Sequence, residues 1–475
     1  MLNRTIQFIL ILLFIFTPIA FGSIGIWAFS LMELGILLVI ILWSIHNIRY
    51  LSKVDYFNKS AIRDTRFAFP ILILSLFLAL ILFQMSPIPS GILKIISPKT
   101  YELRQVLSIH DSQSFIQNSK LSISFMPLAT KIEFYKWLML SGFFLFLLYW
   151  SRLEERRQTL HYLLGVILLM GVLESLYGMF EFFSGHHQIL YLKGISSVTG
   201  TFINRNYFAG YLVMVIPLSM GFLFSREVLQ ARRFKGWRQR LSSLDGKTVL
   251  IGFGIIVMIL GLIFSASRMG ILSLVLSFTL ISFLCKVSKK GRGFSKTSML
   301  ILGLALLWAV WIGLDTVIGR FFILSEDFKS RWTIWGDAYK IVKDFPLLGS
   351  GLGTFSQIFP MYRSLHMRNL ITHAENDFLQ LASEVGLIGL GILFILFIFL
   401  FFKAVSGIRS ISSEDSNRYI GIGGLVGILA LMFHSLVERN LQIPANAFLF
   451  TFIWALVFHS TSFKPSGKVA RWEIR

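Results

Sequence analysis

The chain has 475 residues, 55% of them hydrophobic and only 15% charged, with a mean hydropathy of +0.71. A soluble domain carries about a quarter charged residues, so this composition excludes an ordinary soluble protein; about twelve spans of roughly twenty residues fit the length and leave two sizeable loops. The formal charge of +21 would point to nucleic acid in a soluble protein, but in a membrane chain it reports how the loops are sorted.

Hydrophobic runs separated by charged or Gly/Pro-containing breaks predict spans near 6–22, 24–46, 67–86, 137–150, 161–183 and 207–224, then 248–264, 270–285, 298–318, 387–402, 419–438 and 446–460. The expected fold is an all-α polytopic membrane protein of about 12 transmembrane helices. A single domain covers 1–460, with one outer loop at 87–136, a long helical outer loop at 319–386 between spans 9 and 10, and a basic cytoplasmic tail at 461–475. The first run is followed at once by a second full span across Gly22 and Ser23, which reads as a tight hairpin rather than a cleaved leader.

With both termini cytoplasmic, the inner segments hold 28 of the 45 Lys and Arg residues, and 13 of the remainder fall in the two long outer loops, where charge sorting is weak. The basic run from Arg226 to Arg240 and the group Lys286, Lys289, Lys290 and Arg292 therefore read as topology determinants touching membrane lipid. No nucleic-acid partner is expected, because no stacking platform accompanies them. Cys285 is the lone cysteine, and no Cys/His cluster has zinc-ligand spacing, so no metal is expected.

Four outer-face stretches carry candidate chemistry. In Gly200–Tyr211, Asn204 and Asn206 are good helix N-caps and Arg205 adds a full charge where free N–H groups already favour an anion. The turn Phe264–Gly270 places Arg268 among small residues, where a guanidinium either snorkels to lipid phosphate or grips a diphosphate. Ser330, Arg331 and Trp332 begin an amphipathic helix with apolar Trp332, Trp335, Ala338, Ile341 and Val342, expected to lie on the membrane surface and to end before Pro346. The glycine-rich turn from Pro346 to Gly353 lacks the Lys and Ser/Thr of a nucleotide-binding loop and reads as a connector.

The fourth stretch is Thr372–Gln380. Thr372 with Glu375 makes a capping-box pattern, which would put His373 at the first helical position. There the helix dipole and neighbouring arginines disfavour the imidazolium and leave a neutral ring able to accept a proton. A neutral base beside guanidinium groups suits a polyprenyl-diphosphate-linked sugar, whose leaving group is ready-made, so the protein need only hold the diphosphate and deprotonate an acceptor hydroxyl.

The pieces GTFINRNYFAGYL at 200–212, FSASRMGIL at 264–272, RWTIWGDAYKIVKDFPLLGSGLGTF at 331–355 and THAENDFLQLASEVGLIGLGIL at 372–393 resemble the O-antigen ligase and O-antigen polymerase superfamily, which also contains protein O-oligosaccharyltransferases. In order and spacing they span the motif-bearing part, 200–393. The resemblance implies a GT-C-like glycosyltransferase acting at the periplasmic face of the bacterial inner membrane. Its donor would be undecaprenyl-diphosphate-linked glycan, its acceptor a glycan or lipid A core, with no metal, nucleotide sugar or other cofactor. Carried over by position, His373 is the base or acceptor-activating residue, Arg268 and Arg205 bind diphosphate, and Arg331, Asn204, Asn206, Glu375 and Asn376 support the site. Tyr207 departs from the pattern, since members often carry His there, and no role transfers to it.

Ligase and polymerase are not separated by these motifs; the basic loop at 87–136 resembles what polymerases carry. A carrier of lipid or polysaccharide is the alternative of another class. Its paired polar residues near the midplane would be Glu33 and Glu174, with Glu181 seven residues further on.

Overall fold

The computed structural model describes residues 2–51, 65–107, 120–150, 157–190, 192–193, 197–231, 245–285, 289–313, 324–364 and 371–462. It is all-α. The helices in chain order are α1 Leu2–Ile19, α2 Ile26–Leu51, α3 Thr65–Met85, α4 Ser90–Ile96, α5 Pro98–Leu107, α6 Pro127–Trp150, α7 Arg157–Phe183 and α8 Arg205–Ala231. They continue with α9 Gly246–Phe264, α10 Arg268–Cys285, α11 Lys289–Ile312, α12 Leu324–Asp344, α13 Phe355–Ile358, α14 Asp377–Ser410, α15 Ser416–His434 and α16 Pro444–Ser462. Two antiparallel ladders of two residues per strand, Ile88–Pro89 with Lys120–Leu121 and Gln188–Ile189 with Leu192–Lys193, tie loops together.

Among the described residues, eleven helices are long and apolar enough to cross a membrane, and Pro444–Ser460 forms a shorter apolar helix where the twelfth span is expected. Helices are the form a bilayer imposes, because each satisfies its own backbone groups without water. The bundle's outside is correspondingly apolar: Trp311 is 85% and Leu307 68% exposed. The chain is a multi-pass membrane protein.

Helix α8 is the centre, buried along almost its whole apolar length. It meets α15 so closely that Gly221 abuts the Tyr419 carbonyl and Gly423 the Pro217 carbonyl. Small residues at such crossings let backbones approach where lipid offers no hydrophobic drive for association. The α1–α2 hairpin turns through Phe21, Gly22 and Ser23, all at positive φ, and packs Gly22 on the Phe202 ring and Ile443.

Three boundaries differ from the sequence expectation. Helix α6 starts at Pro127, ten residues before the expected span, so Glu133 and Lys136 stand on a membrane helix instead of in the 87–136 loop; Pro is preorganised for a helix start. Helix α12 starts at Leu324, earlier than Ser330. Helix α15 stops at His434, and residues 435–443 form a polar connector into Pro444, so the span does not reach 438. The basic residues 232–240, Lys286, the tail 463–475 and the loop segments 108–119, 319–323 and 365–370 lie outside the described residues.

Candidate active site

One end of the bundle gathers the starts of α8, α10, α14 and α16 and the connectors around them. At α8, Asn204 is the N-cap: its Oδ1 accepts the Asn206 N–H at 2.8 Å, which puts Arg205 at the first helical position, half-buried. At α10, Ser267 Oγ accepts the Gly270 N–H at 3.3 Å, and Arg268 takes the equivalent place, also half-buried. Gly270 sits against Ala209, so these two first turns are neighbours. Two guanidinium groups thus stand at adjacent helix starts, where the backbone itself favours an anion.

The long loop before α14 differs from the expected capping box. The N-cap is Asn376, whose Oδ1 accepts the Leu379 N–H at 3.0 Å, and the helix begins at Asp377. Glu375 has φ 50° and lies outside the helix, as does His373. Asn caps at least as well as Thr, and Asn376 is nearer the first apolar residues of the helix, so it wins the boundary. Asp377 is then clamped: its Oδ2 accepts the Asn440 and Leu441 N–H groups, both at 2.8 Å, and its own N–H donates to the Ser435 carbonyl at 3.1 Å.

That clamp brings in the connector 435–443, which the sequence reading had not singled out. Glu438 is its hub. Its Oε1 receives the Arg331 guanidinium and, at 2.6 Å, the Asn206 amide, while Arg331 also donates to the Val437 carbonyl at 2.6 Å. Burial lifts the Glu438 carboxyl above its ordinary range, and Arg331 and Asn206 work against that rise. Arg439 bonds the Tyr207 hydroxyl, lies 5.1 Å above the Tyr207 ring and sits 3.8 Å from Glu375. Tyr207, the residue that departs from the family pattern, holds this arginine in place. Burial, followed by the Glu438 charge, pushes the Glu375 carboxyl up to about 7.

The apolar stripe of α12 packs on the loop's own small core: Ala338 and Ile341 are buried with Phe345, Phe355, Ile358, Phe359 and Ala374, while Trp332 stays 66% exposed. Trp335 donates to the Ala374 carbonyl at 3.0 Å and pins the loop segment bearing His373. The glycine-rich turn is a connector, as expected. Its Gly353 and Phe355 N–H groups bind the carboxylate of Glu384 at 2.9 and 3.2 Å, and Gly351 bonds the Glu384 carbonyl. The N–H groups of Gly353 and Phe355 are thus taken by one of the protein's own carboxyl groups.

Below this end lies a cavity of about 580 Å³, walled by Leu140, Phe144, Leu393, Phe397, Phe450 and Trp454 among others from α3, α6, α14, α15 and α16. Its polar groups include Glu133, Lys136, Ser141, His373, Asp377, Gln380, Glu384 and Gln442. Lys136 pairs with Glu133 at 2.6 Å. His373 therefore opens on the cavity. Arg205, Arg268 and Arg331 are not part of its lining; Arg331 is tied through Glu438 to the connector that clamps Asp377, Arg205 precedes the Asn206 bound to the same Glu438, and Arg268 starts the helix beside α8. Among the described residues, no three His, Cys, Asp or Glu side chains gather as a metal site.

Of the acidic residues that favoured a carrier, Glu174 is buried and accepts the Thr201 N–H at 2.7 Å and its hydroxyl at 2.8 Å, which ties the 197–204 turn to α7. Glu181 lies 3.7 Å from His186 at the end of α7. Neither carboxylate lines the cavity.

Fold and site define a polytopic membrane protein whose polar chemistry sits at one end of its helix bundle, over an apolar cavity. Residues 253–394 match the family model described as O-antigen ligase, Wzy_C, which places this segment in the O-antigen ligase and polymerase superfamily. The match contains three of the four motif segments; Asn204–Tyr207 and the connector 435–443 lie outside it. No curated protein matches the chain.

Proposed function

We propose that this protein transfers or polymerises glycan from an undecaprenyl-diphosphate-linked donor onto an acceptor sugar hydroxyl at the periplasmic face of the inner membrane. The observation that carries the reading is His373 at the polar end of an apolar cavity, joined through the Asp377 clamp and Glu438 to the elements bearing Arg331 and Asn206. The cavity suits the polyprenyl chain, and Arg205 and Arg268 suit the diphosphate.

The acceptor oxygen attacks the anomeric carbon in line, a new glycosidic C–O bond forms, and the bond to the diphosphate breaks with inversion. Its electron pair leaves on the diphosphate, whose growing charge the two guanidinium groups offset, and the acceptor hydroxyl's proton passes to an oxygen of the departing diphosphate. His373 is the group that faces the acceptor hydroxyl and sets its orientation for attack, and Asn204, Glu375 and Asn376 support the site.

The experiment is transfer from a lipid-linked donor by purified protein in liposomes. His373→Ala and Arg268→Ala should insert and fold normally yet lose transfer; near wild-type transfer by either removes that residue from the reaction. Movement of the lipid between leaflets without a new glycosidic bond would favour a carrier. The 87–136 loop favours a polymerase, while the description of the matched family favours a ligase acting on lipid A core. Products decide between them: cells lacking a polymerase accumulate single repeat units, and cells lacking a ligase accumulate finished chains on carrier lipid.

A further inference from the structure

Gln380 lies one turn into α14 and is almost fully buried, at 5% exposure. Its amide is fixed at both ends. The Oε1 atom accepts the Ala374 N–H at 3.0 Å, and the Nε2 atom donates to Glu384 Oε1 at 3.1 Å. Glu384 is itself held by the Gly353 and Phe355 N–H groups, so the amide has one permitted orientation. A flipped amide would set N–H against N–H at Ala374 and oxygen against carboxylate at Glu384.

The same amide nitrogen lies 3.4 Å from His373 Nδ1, within reach of its second hydrogen. An amide N–H2 only donates, so Nδ1 must be the accepting nitrogen. The neutral ring then carries its proton on Nε2. An imidazolium would set Nδ1–H against the amide hydrogen, so the same contact opposes a second proton on the ring.

We infer that Gln380 and Glu384 are positioning residues that hold His373 as the neutral Nε2–H tautomer, so that the ring meets a substrate oxygen as a hydrogen-bond donor rather than as a base. This rests on the reading of His373 as the residue facing the acceptor, and it narrows that role. A base needs a lone pair turned to the substrate, and here the lone pair is spent on Gln380. A donor at Nε2 orients an oxygen and stabilises charge that develops on it.

The test is nitrogen NMR of the full-length protein in detergent with isotope-labelled histidine. The His373 signal is identified among the nine histidines by its loss in His373→Ala. Wild type should show a single neutral tautomer, protonated on Nε2. In Gln380→Met the two tautomers should exchange and the shifts of the two ring nitrogens move toward each other. In the transfer assay Gln380→Met should lower kcat by roughly ten- to a hundredfold, the range seen when a metal-bound histidine loses its outer hydrogen-bond partner, with KM for the donor little changed. A wild-type ring protonated on Nδ1, or already averaged between tautomers, overturns the inference. So does a Gln380→Met ring with the wild-type spectrum. Because the spectrum of the wild-type ring is read without any turnover, a protein that shows the Nε2–H tautomer and transfers no glycan sinks the reaction, not the tautomer. The wild-type spectrum also decides the matter should Gln380→Met fail to fold.

Discussion

Arg331 and Glu438, 107 residues apart in the chain, form an ion pair in which the carboxylate side chain is only 4% exposed and the guanidinium 24%. The same carboxylate oxygen takes the Asn206 amide, so one acidic residue joins α12, the start of α8 and the connector before α16. Breaking a buried pair by removing one partner is costly, about 3–5 kcal/mol, whereas replacing both by apolar groups is often near neutral. Arg331→Met should therefore lower the thermal midpoint in detergent well below wild type. The double variant Arg331→Met with Glu438→Leu should recover much of that loss, and additive losses in the two single variants would show that the pair is not coupled.

Glu375 makes stability depend on pH. Its carboxyl is raised to about 7 in the folded protein from an ordinary value of 4.5, so between these values the folded state binds more protons than the unfolded one. Stability contributed by this group is then full below about pH 4.5, falls as pH rises toward 7, and is flat above. A series of thermal midpoints against pH should show a shallower fall in Glu375→Gln than in wild type across that window. Parallel curves would mean that Glu375 does not take part.

Gly386 separates the loop turn of α14 from its long span. It sits at φ 66° and ψ −177°, a conformation that L residues essentially never adopt, and a Cβ there would collide with the Leu347 carbonyl. The turn is fixed on the other side by the Leu387 N–H, which donates to the Pro346 carbonyl at 2.8 Å. Gly386→Ala should cost at least about 1–3 kcal/mol in backbone strain, plus the collision. Gly336→Ala, on α12 with nothing near its Cβ position, should be neutral or stabilising by up to about 1 kcal/mol. Size-exclusion profiles and unfolding midpoints of the two variants test this contrast.

Ser141, on α6, is 6% exposed and lines the cavity. Ser141→Phe places a ring in that space. If the cavity holds the lipid tail, the variant should raise KM for a long-chain donor several-fold and change KM for a short-chain analogue much less. Equal effects on both donors would separate the cavity from the chain.

The bilayer solves part of the fold before any packing is considered. Because a spanning segment must satisfy its own backbone groups, apolar length alone located the membrane helices, and caps such as Asn204 are decided within one turn of chain. The same local rule failed at Thr372–Asn376, where two residues four positions apart both cap well and only the pairing of Asn376 with Leu379 settles which one starts the helix. The positions of Arg205, Arg268, Arg331 and His373 were legible because their motifs resemble a family.

What joins them was not legible. Glu438 falls at the end of an expected span and Arg439 just beyond it, Gln380 and Glu384 carry no signal of their own in the sequence, and Tyr207 reads only as a departure from pattern. Each acquires its role from a partner far away in the chain: Arg331, Tyr207, the glycine-rich turn or His373 itself. Hydrophobic length and helix caps are properties of a short stretch of chain, so sequence determined them. Hydrogen-bond partnership between distant groups, and the choice of proton position on one imidazole that follows from it, exist only once the helices have packed.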